Sequence, residues 1–243
     1  MLEVMNLSKH FGKVRAVDGI SFSVGAGEIF GLLGANGAGK TTTLRTLATM
    51  LKPTSGTARI AGYDIVERPD DVRPNIGLLF GGDTGLYDRL TAQENIVYFA
   101  ELNGVDAATA VTRTKELARA FSFTEYLNTQ AGKLSKGTRQ KVAFSRSIVH
   151  NPAVMLFDEP TVGLDVTAKS DVMDFILKCR SEGKCIVLSD HTLSVVERLC
   201  DRVGIMKSGV LLGVGTIPEL CEQYQCSNLE EVFFKLAGER NVE

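Results

Sequence analysis

The octapeptide Gly34-Ala35-Asn36-Gly37-Ala38-Gly39-Lys40-Thr41 constrains this chain more than any other feature. It matches G-x-x-x-x-G-K-[ST] at every fixed position, follows the apolar run Ile29 to Leu33, and precedes a helix-period run from Thr42 to Leu51. Strand, glycine turn and helix in that order predict a phosphate cradle. Glycines let backbone N–H groups turn inward around phosphate oxygens, and the helix N-terminus adds partial positive charge. Lys40 is then placed to bridge the β- and γ-phosphates of a nucleotide, and the Thr41 hydroxyl to hold Mg²⁺. Residues 34–42, ending at Thr42, are the expected nucleotide contacts. A glycine-rich bend made only for tightness accounts for the glycines but not for the lysine and threonine.

Around this loop the chain has the rhythm of an α/β protein with a buried sheet. Apolar runs recur at Ile76 to Phe80, Val154 to Phe157, Cys185 to Ser189 and Val203 to Met206, separated mostly by helix-period segments. Val172, Phe175, Ile176 and Cys179 give one apolar stripe on a helix that Gly183 ends. Glu3 to Lys9 and Ser21 to Val24 read as short alternating strands with a Gly12-Lys13 turn, an antiparallel edge. From Thr91 to Gly132 the pattern is helical, opened by a Thr91–Glu94 capping box; a second box is expected at Ser227 and Glu230.

The strand Val154 to Phe157 ends in two carboxylates. In an open α/β sheet such a strand end lies where ligands bind. Asp158 suits a second Mg²⁺ ligand, because a hard cation prefers oxygen donors. Glu159, one residue on, is the candidate general base for an attacking water, and Pro160 stops the strand. Phe11 offers an aromatic face on which an adenine could stack. No Asn-Lys-x-Asp run for guanine recognition is present.

Charge narrows the partners. With 27 Lys plus Arg against 29 Asp plus Glu, the net charge of −2 supplies no field for a phosphodiester backbone, so no nucleic-acid partner is expected. No apolar stretch approaches the roughly 20 residues of a membrane span, and the N-terminus lacks the pattern of a signal peptide. The expected location is therefore the cytoplasm. The five cysteines include no C-x-x-C pair and read as buried or idle thiols. His10 and His150 read as surface or capping residues.

Several motifs in this order resemble the ATP-binding subunit of ABC transporters, and the resemblance covers essentially the whole chain. Leu134-Ser135-Lys136-Gly137-Thr138 stands where that family carries its LSGGQ signature, with Ser135 a natural helix N-cap. Gly163-Leu164-Asp165 resembles the family's D-loop, and His191 in Val187-Leu-Ser-Asp-His191 its switch histidine. The resemblance implies a P-loop NTPase fold with a RecA-like mixed-sheet core, an N-terminal antiparallel β subdomain and an α-helical subdomain. It places one ATP-binding domain over residues 1–243, with 1–80 and 150–243 as core and 81–149 as helical subdomain.

It further implies a homodimer around two Mg-ATP, in which Leu134, Ser135, Lys136 and Gly137 act on the partner's ATP. A separate integral membrane permease is implied too, which would put the chain at the inner face of the cell membrane. Glu159, His191 and Lys40 take the catalytic roles in that scheme, and Thr41 and Asp158 hold the metal. Two departures stand out. Lys136 replaces a signature glycine and is expected to protrude into water, and the family's Q-loop glutamine is missing near Gly81, where Asp83 or Glu94 could substitute. The variant loop, the Lys-Gly pair and the segment Leu229 to Leu236 look most like the bacterial sodium-efflux (NatA-like) group. An exporter for another small molecule or drug, and a non-transport ABC ATPase, are the alternatives.

Overall fold

The computed structural model describes residues 1–80 and 85–238. The chain opens with β1 (Leu2–Phe11) and β2 (Val14–Val24), joined through Gly12 at φ +58°. Then come β3 (Ile29–Leu33), α1 (Lys40–Leu47), β4 (Ser55–Ile60), β5 (Tyr63–Asp64), α2 (Pro69–Val72) and β6 (Ile76–Leu79). A helical stretch follows: α3 (Ala92–Leu102), α4 (Ala107–Ala120) and α5 (Lys136–Ile148). The rest alternates as β7 (Val154–Asp158), α6 (Val166–Ser181), β8 (Cys185–Asp190), α7 (Leu193–Leu199), β9 (Arg202–Lys207) and β10 (Val210–Gly215), closing with α8 (Ile217–Tyr224) and α9 (Leu229–Ala237).

The strands form two sheets. An antiparallel sheet runs β2-β1-β4-β5, and a mixed sheet runs β10-β9-β3-β8-β7-β6, parallel except for β9 with β10. Strands β3, β7 and β8 are buried along their whole length, as their unbroken apolar runs require. One core lies between the sheets, where Phe22 stacks on Phe30 with ring centroids 4.6 Å apart. A second lies between the mixed sheet and the helices: Phe144 of α5 sits 4.8 Å from Phe157 of β7 and 5.3 Å from Phe121. That aromatic contact fixes the signature helix against the strand that ends in Asp158.

Register decides where the site forms. Leu33 pairs with Asp190 and Asp158 with Ser189, so β3, β7 and β8 finish at one edge of the sheet. The residues that leave those ends, Gly34, Glu159 and His191, therefore emerge side by side.

Four details differ from the expectations. The N-terminal strands are long, because each keeps its partner through bulges in β1. Helix α1 starts at Lys40 itself and stops at Leu47; Thr49 at φ +61° turns the chain before Pro53. The last helix is capped by Asn228, which accepts from the Glu231 N–H at 2.9 Å, while the Ser227 N–H donates to the Glu231 carboxylate at 2.8 Å. The expected Ser227–Glu230 box is thus shifted by one residue, since Asn caps as well as Ser. His150 is half-buried at a groove rather than freely exposed: burial depresses its pKa, and its Nε2 contacts the Ile76 carbonyl at 2.9 Å.

Candidate functional site

The loop between β3 and α1 is held from beneath by close backbone contacts. A Cβ on Gly39, at φ +108°, would lie 2.3 Å from the Ala16 carbonyl oxygen, so this position admits only glycine. The Gly209 N–H donates to the Ala38 carbonyl at 2.9 Å, and the Asp18 N–H donates to the Gly209 carbonyl at 2.9 Å. The β1–β2 sheet, the loop and the β9–β10 turn are thereby tied together. Gly34 and Ala38 are buried under the loop, Ala35 is half-buried, and Asn36 and Gly37 face outward. A Cβ on Gly37 would meet nothing within 4 Å, which puts its open side on the cleft.

Helix α1 carries no side-chain cap at its N-terminus. Its first-turn N–H groups and the helix dipole therefore point into the cleft as a ready anion site. Lys40 is 5% exposed, and its ammonium bonds the Gly34 carbonyl and, at 3.1 Å, that of Ala35. Desolvation lowers its pKa, while the charges of Glu159, Asp158 and Asp190 act in the opposite sense. The ammonium is thus desolvated by the fold itself and held by two carbonyls of its own loop.

The strand ends supply the acids. The Thr41 hydroxyl donates to Asp158 at 2.7 Å, and the Ser189 hydroxyl donates to the other Asp158 oxygen. Glu159 sits at φ +50°, a left-handed conformation rare for a glutamate, with its N–H donating to the Ser189 carbonyl at 3.0 Å. That geometry turns its carboxylate away from the sheet and toward His191, whose Nδ1 lies 3.0 Å from Glu159 Oε1. The Thr192 N–H donates to Asp190 at 2.8 Å, fixing the turn that carries His191.

Of these groups, Lys40, Thr41 and Glu159 line a cleft of about 330 Å³ together with Asn36, Gly37, Gly39 and Thr42 and with Val14, Arg15, Ala16 and Ser208; Asp158 and His191 lie outside the lining, bonded to Thr41 and Glu159. Val14, Arg15, Ala16 and Ser208 were not anticipated from sequence. Nothing in their own pattern marks them; they arrive through the sheet contact to Gly39 and the Ser208-Gly209 turn. Ser189 carries a signal in its sequence context, a hydroxyl next to a strand-end acid, but only the packing of β8 on β7 gives it its role on Asp158. Phe11 lies outside the lining, 49% exposed, with the Lys9 ammonium 5.1 Å from its ring centre.

The signature residues stand apart. Among the described residues, the cleft lining includes none of 134–137. Leu134 is buried in the helical core, and Ser135 caps α5, accepting from the Thr138 N–H at 3.2 Å with its hydroxyl 2.9 Å from that of Thr138. Lys136 is exposed, yet it also lies over the D-loop turn: a Cβ on Gly163 would come 3.0 Å from its ammonium. A Cβ on Gly137 would be 3.8 Å from Asp165, which caps α6 by accepting from the Ala168 N–H at 2.8 Å. Of the Q-loop positions, Gly81 and Asp83 lie outside the described residues. Glu94 is engaged in the Thr91 capping box, accepting from the Thr91 N–H at 2.7 Å.

Residues 17–162 match the family model described as ABC transporter. The chain belongs to the ATP-binding subunits of ABC transporters. It is accordingly an ABC ATPase, an enzyme of ATP hydrolysis. It is 42% identical over 220 residues to the ABC transporter ATP-binding protein NatA of Bacillus subtilis, spanning 90% of this chain and 89% of that protein. The daunorubicin/doxorubicin resistance ATP-binding protein DrrA of Streptomyces peucetius is 36% identical over 219 residues, 90% of this chain and 66% of its own length.

Among solved structures, an ATP-binding subunit of an ABC transporter superposes with a TM-score of 0.90 at 30% identity, covering 97% of this chain and 99% of that one. A dimeric ATP-binding cassette in a post-hydrolysis state, bound to ADP and Pi, gives 0.80 at 25% identity over 89% and 98%. The antiparallel sheet packed on a mixed sheet with helices is the ABC ATPase fold. No helix among the described residues is long and apolar enough to cross a membrane.

Proposed function

We propose that two copies of this subunit close around two Mg-ATP and drive a separate membrane permease, with Na⁺ export as the transport reaction. The observation that carries the ATPase part is the Glu159–His191 pair, 3.0 Å apart at the edge of the cleft that also holds Lys40 and Thr41. Glu159 orients and deprotonates the attacking water, and His191 holds Glu159 and faces the terminal phosphate. Lys40 and the α1 N-terminus bind the β- and γ-phosphates; residues 34–42 wrap them; Phe11 stacks at the adenine end. Thr41 and Asp158, two adjacent hard oxygen donors, fit Mg²⁺ and would hold it together with phosphate oxygens. The metal would supply charge neutralisation on the transferring phosphoryl group.

The second half of each site comes from the partner copy. Of the four residues Leu134, Ser135, Lys136 and Gly137, the last three present an N-cap hydroxyl and a helix dipole toward the surface while Leu134 anchors the turn in the core, an arrangement well suited to a γ-phosphate arriving from another molecule. The same surface carries Asp165 flanked by two exposed aliphatics, Val162 at 43% and Val166 at 88%. Within one domain of 1–243, residues 81–149 act as the helical arm that passes closure to the permease, at the inner face of the cell membrane. A groove of about 440 Å³ lined by Met50, Phe80, Phe99, Arg146 and His150 supports that docking side.

Sodium as cargo rests on the likeness to NatA; the likeness to DrrA favours drug export as the second reading. Replacing Glu159 by Gln tests the assignment. Turnover should fall about 10²- to 10⁴-fold with ATP binding kept, and the variant should accumulate as an ATP-bound dimer in sedimentation. A variant that stays monomeric and hydrolyses ATP at the wild-type rate would remove Glu159 from this role. For the cargo, ²²Na⁺ efflux and drug efflux from cells carrying the subunit with its co-purifying permease distinguish the readings.

A further inference from the structure

Helix α8 ends in a left-handed turn that joins the backbones of two cysteines, Cys221 and Cys226. Gln225 has φ +51°; its N–H donates to the Glu222 carbonyl at 3.2 Å, and the Cys226 N–H donates to the Cys221 carbonyl at 2.9 Å. This nested pair of bonds is the Schellman ending, in which the side chains of the outer pair frequently lie against one another. Here both of those side chains are cysteines. Standard bond lengths and the Cys226–Cys221 hydrogen bond keep the two Cα atoms within about 6.8 Å, inside the span of a disulfide.

The surroundings divide the labour between the sulfurs. The Cys226 thiol donates to the Tyr224 carbonyl at 3.4 Å, and the Lys235 ammonium donates to the same oxygen at 2.7 Å. Cys226 and Lys235 thus share one carbonyl and line the same cleft of about 610 Å³, with Asn228, Glu230, Glu231 and Phe234. Cys221 packs against the small core under α8 and α9, and desolvation pushes its thiol up. The other three cysteines are set apart: burial pushes Cys179 and Cys185 up to about 12 and Cys200 higher still.

We propose that Cys221 and Cys226 form a reversible intrachain disulfide on exposure to a peroxide, with Cys226 reacting first and Cys221 resolving. The Cys226 sulfur attacks one peroxide oxygen, the O–O bond breaks, and the leaving hydroxide takes a proton to become water. Cys221 then attacks the sulfenic sulfur, the S–S bond forms, the S–O bond breaks, and a second water leaves. Two thiols lose two electrons, and the peroxide is reduced to two waters. A low-molecular-weight dithiol returns the pair. The Lys235 ammonium, bonded to the same Tyr224 carbonyl as the Cys226 thiol, holds the reacting sulfur at the turn. The bond would clip the end of α8, whose Tyr224 hydroxyl donates to the Leu212 carbonyl of β10 at 3.1 Å, and so hold α8 and α9 on the mixed sheet.

The test treats the full, reduced chain with hydrogen peroxide, blocks remaining thiols, and digests it without reductant after Tyr224. The expected product is two fragments joined through Cys221 and Cys226, released by dithiothreitol, with Cys179, Cys185 and Cys200 still blocked as thiols. Cys221→Ser should leave Cys226 as a sulfenic acid that a dimedone probe traps, and Lys235→Met should slow cross-linking roughly tenfold. Peroxide treatment that leaves Cys226 unmodified, or carries it to the sulfinic acid while Cys221 stays free, would overturn the proposal. So would equal reactivity of the three buried cysteines.

Discussion

The two ends of the chemistry are built in opposite ways. The phosphate-loop side is buried and cross-braced: Gly39 is pressed against Ala16, Lys40 is 5% exposed, and Asp158 is gripped by Thr41 and Ser189. The signature side is open. Ser135 and Lys136 are exposed, and among the described residues the Ser135 hydroxyl bonds the Thr138 N–H and hydroxyl of its own helix turn. One region has spent its conformational freedom in folding; the other still has a helix terminus to offer. The contrast teaches that rigidity sits at the loop proposed to hold the triphosphate, and accessibility at the helix end proposed to meet a second copy.

Breaking the rigid side should cost most. Lys40→Met is expected to weaken ATP binding about 10- to 100-fold, the worth of charge-assisted bonds to phosphate, in a fluorescent-nucleotide titration. An unchanged affinity would take Lys40 out of the phosphate site. Ser189→Ala removes a hydroxyl that orients Asp158 and should raise the Mg²⁺ concentration for half-maximal turnover about 10-fold or more, with ATP affinity little changed. The open side should respond less. Lys136→Gly is expected to change turnover by less than about fivefold, because the ammonium is solvated and its contact to the D-loop turn is at the surface. A loss of a hundredfold would mean that Lys136 touches the nucleotide.

The smallest effect belongs to the helix ends. Hydrogen bonds from the Thr91 backbone and side chain hold the Glu94 carboxyl below its ordinary range, so the folded state binds that proton less readily than the unfolded one. Its contribution is present above the unfolded value and is lost as pH falls through the folded one. The protection of the Thr91 N–H against hydrogen exchange, taken relative to its intrinsic rate at each pH, should fall over that acid window, and Glu94→Gln should flatten the response.

The legible parts of the site were those whose chemistry is written in consecutive residues. Gly34 to Thr41 and Val154 to Glu159 each combine a strand with the group at its end, so element and function are read together. The Thr91–Glu94 box is equally local, and it is present. Contacts made across the sheet were not legible: Ala16 under Gly39, Ser208 at the cleft, Ser189 on Asp158. They depend on which strands are neighbours, and strand order is not carried by any single segment. Boundaries failed where two residues cap equally well, as at Ser227 and Asn228. His150 was misplaced because a polar ring after a helix looks solvated until β6 is packed beside it.

The central claim is that a site assembles from one copy's phosphate loop and another copy's Ser135. Lys40→Met and Ser135→Arg subunits, each inactive alone, should therefore recover turnover when mixed. In a mixed dimer the Ser135→Arg copy keeps its own loop and meets an intact Ser135 from its partner. An equal mixture should reach about a quarter of wild-type ATPase rate, one sound site in half of the dimers. A mixture of well-folded variants that stays as inactive as its components would contradict the account.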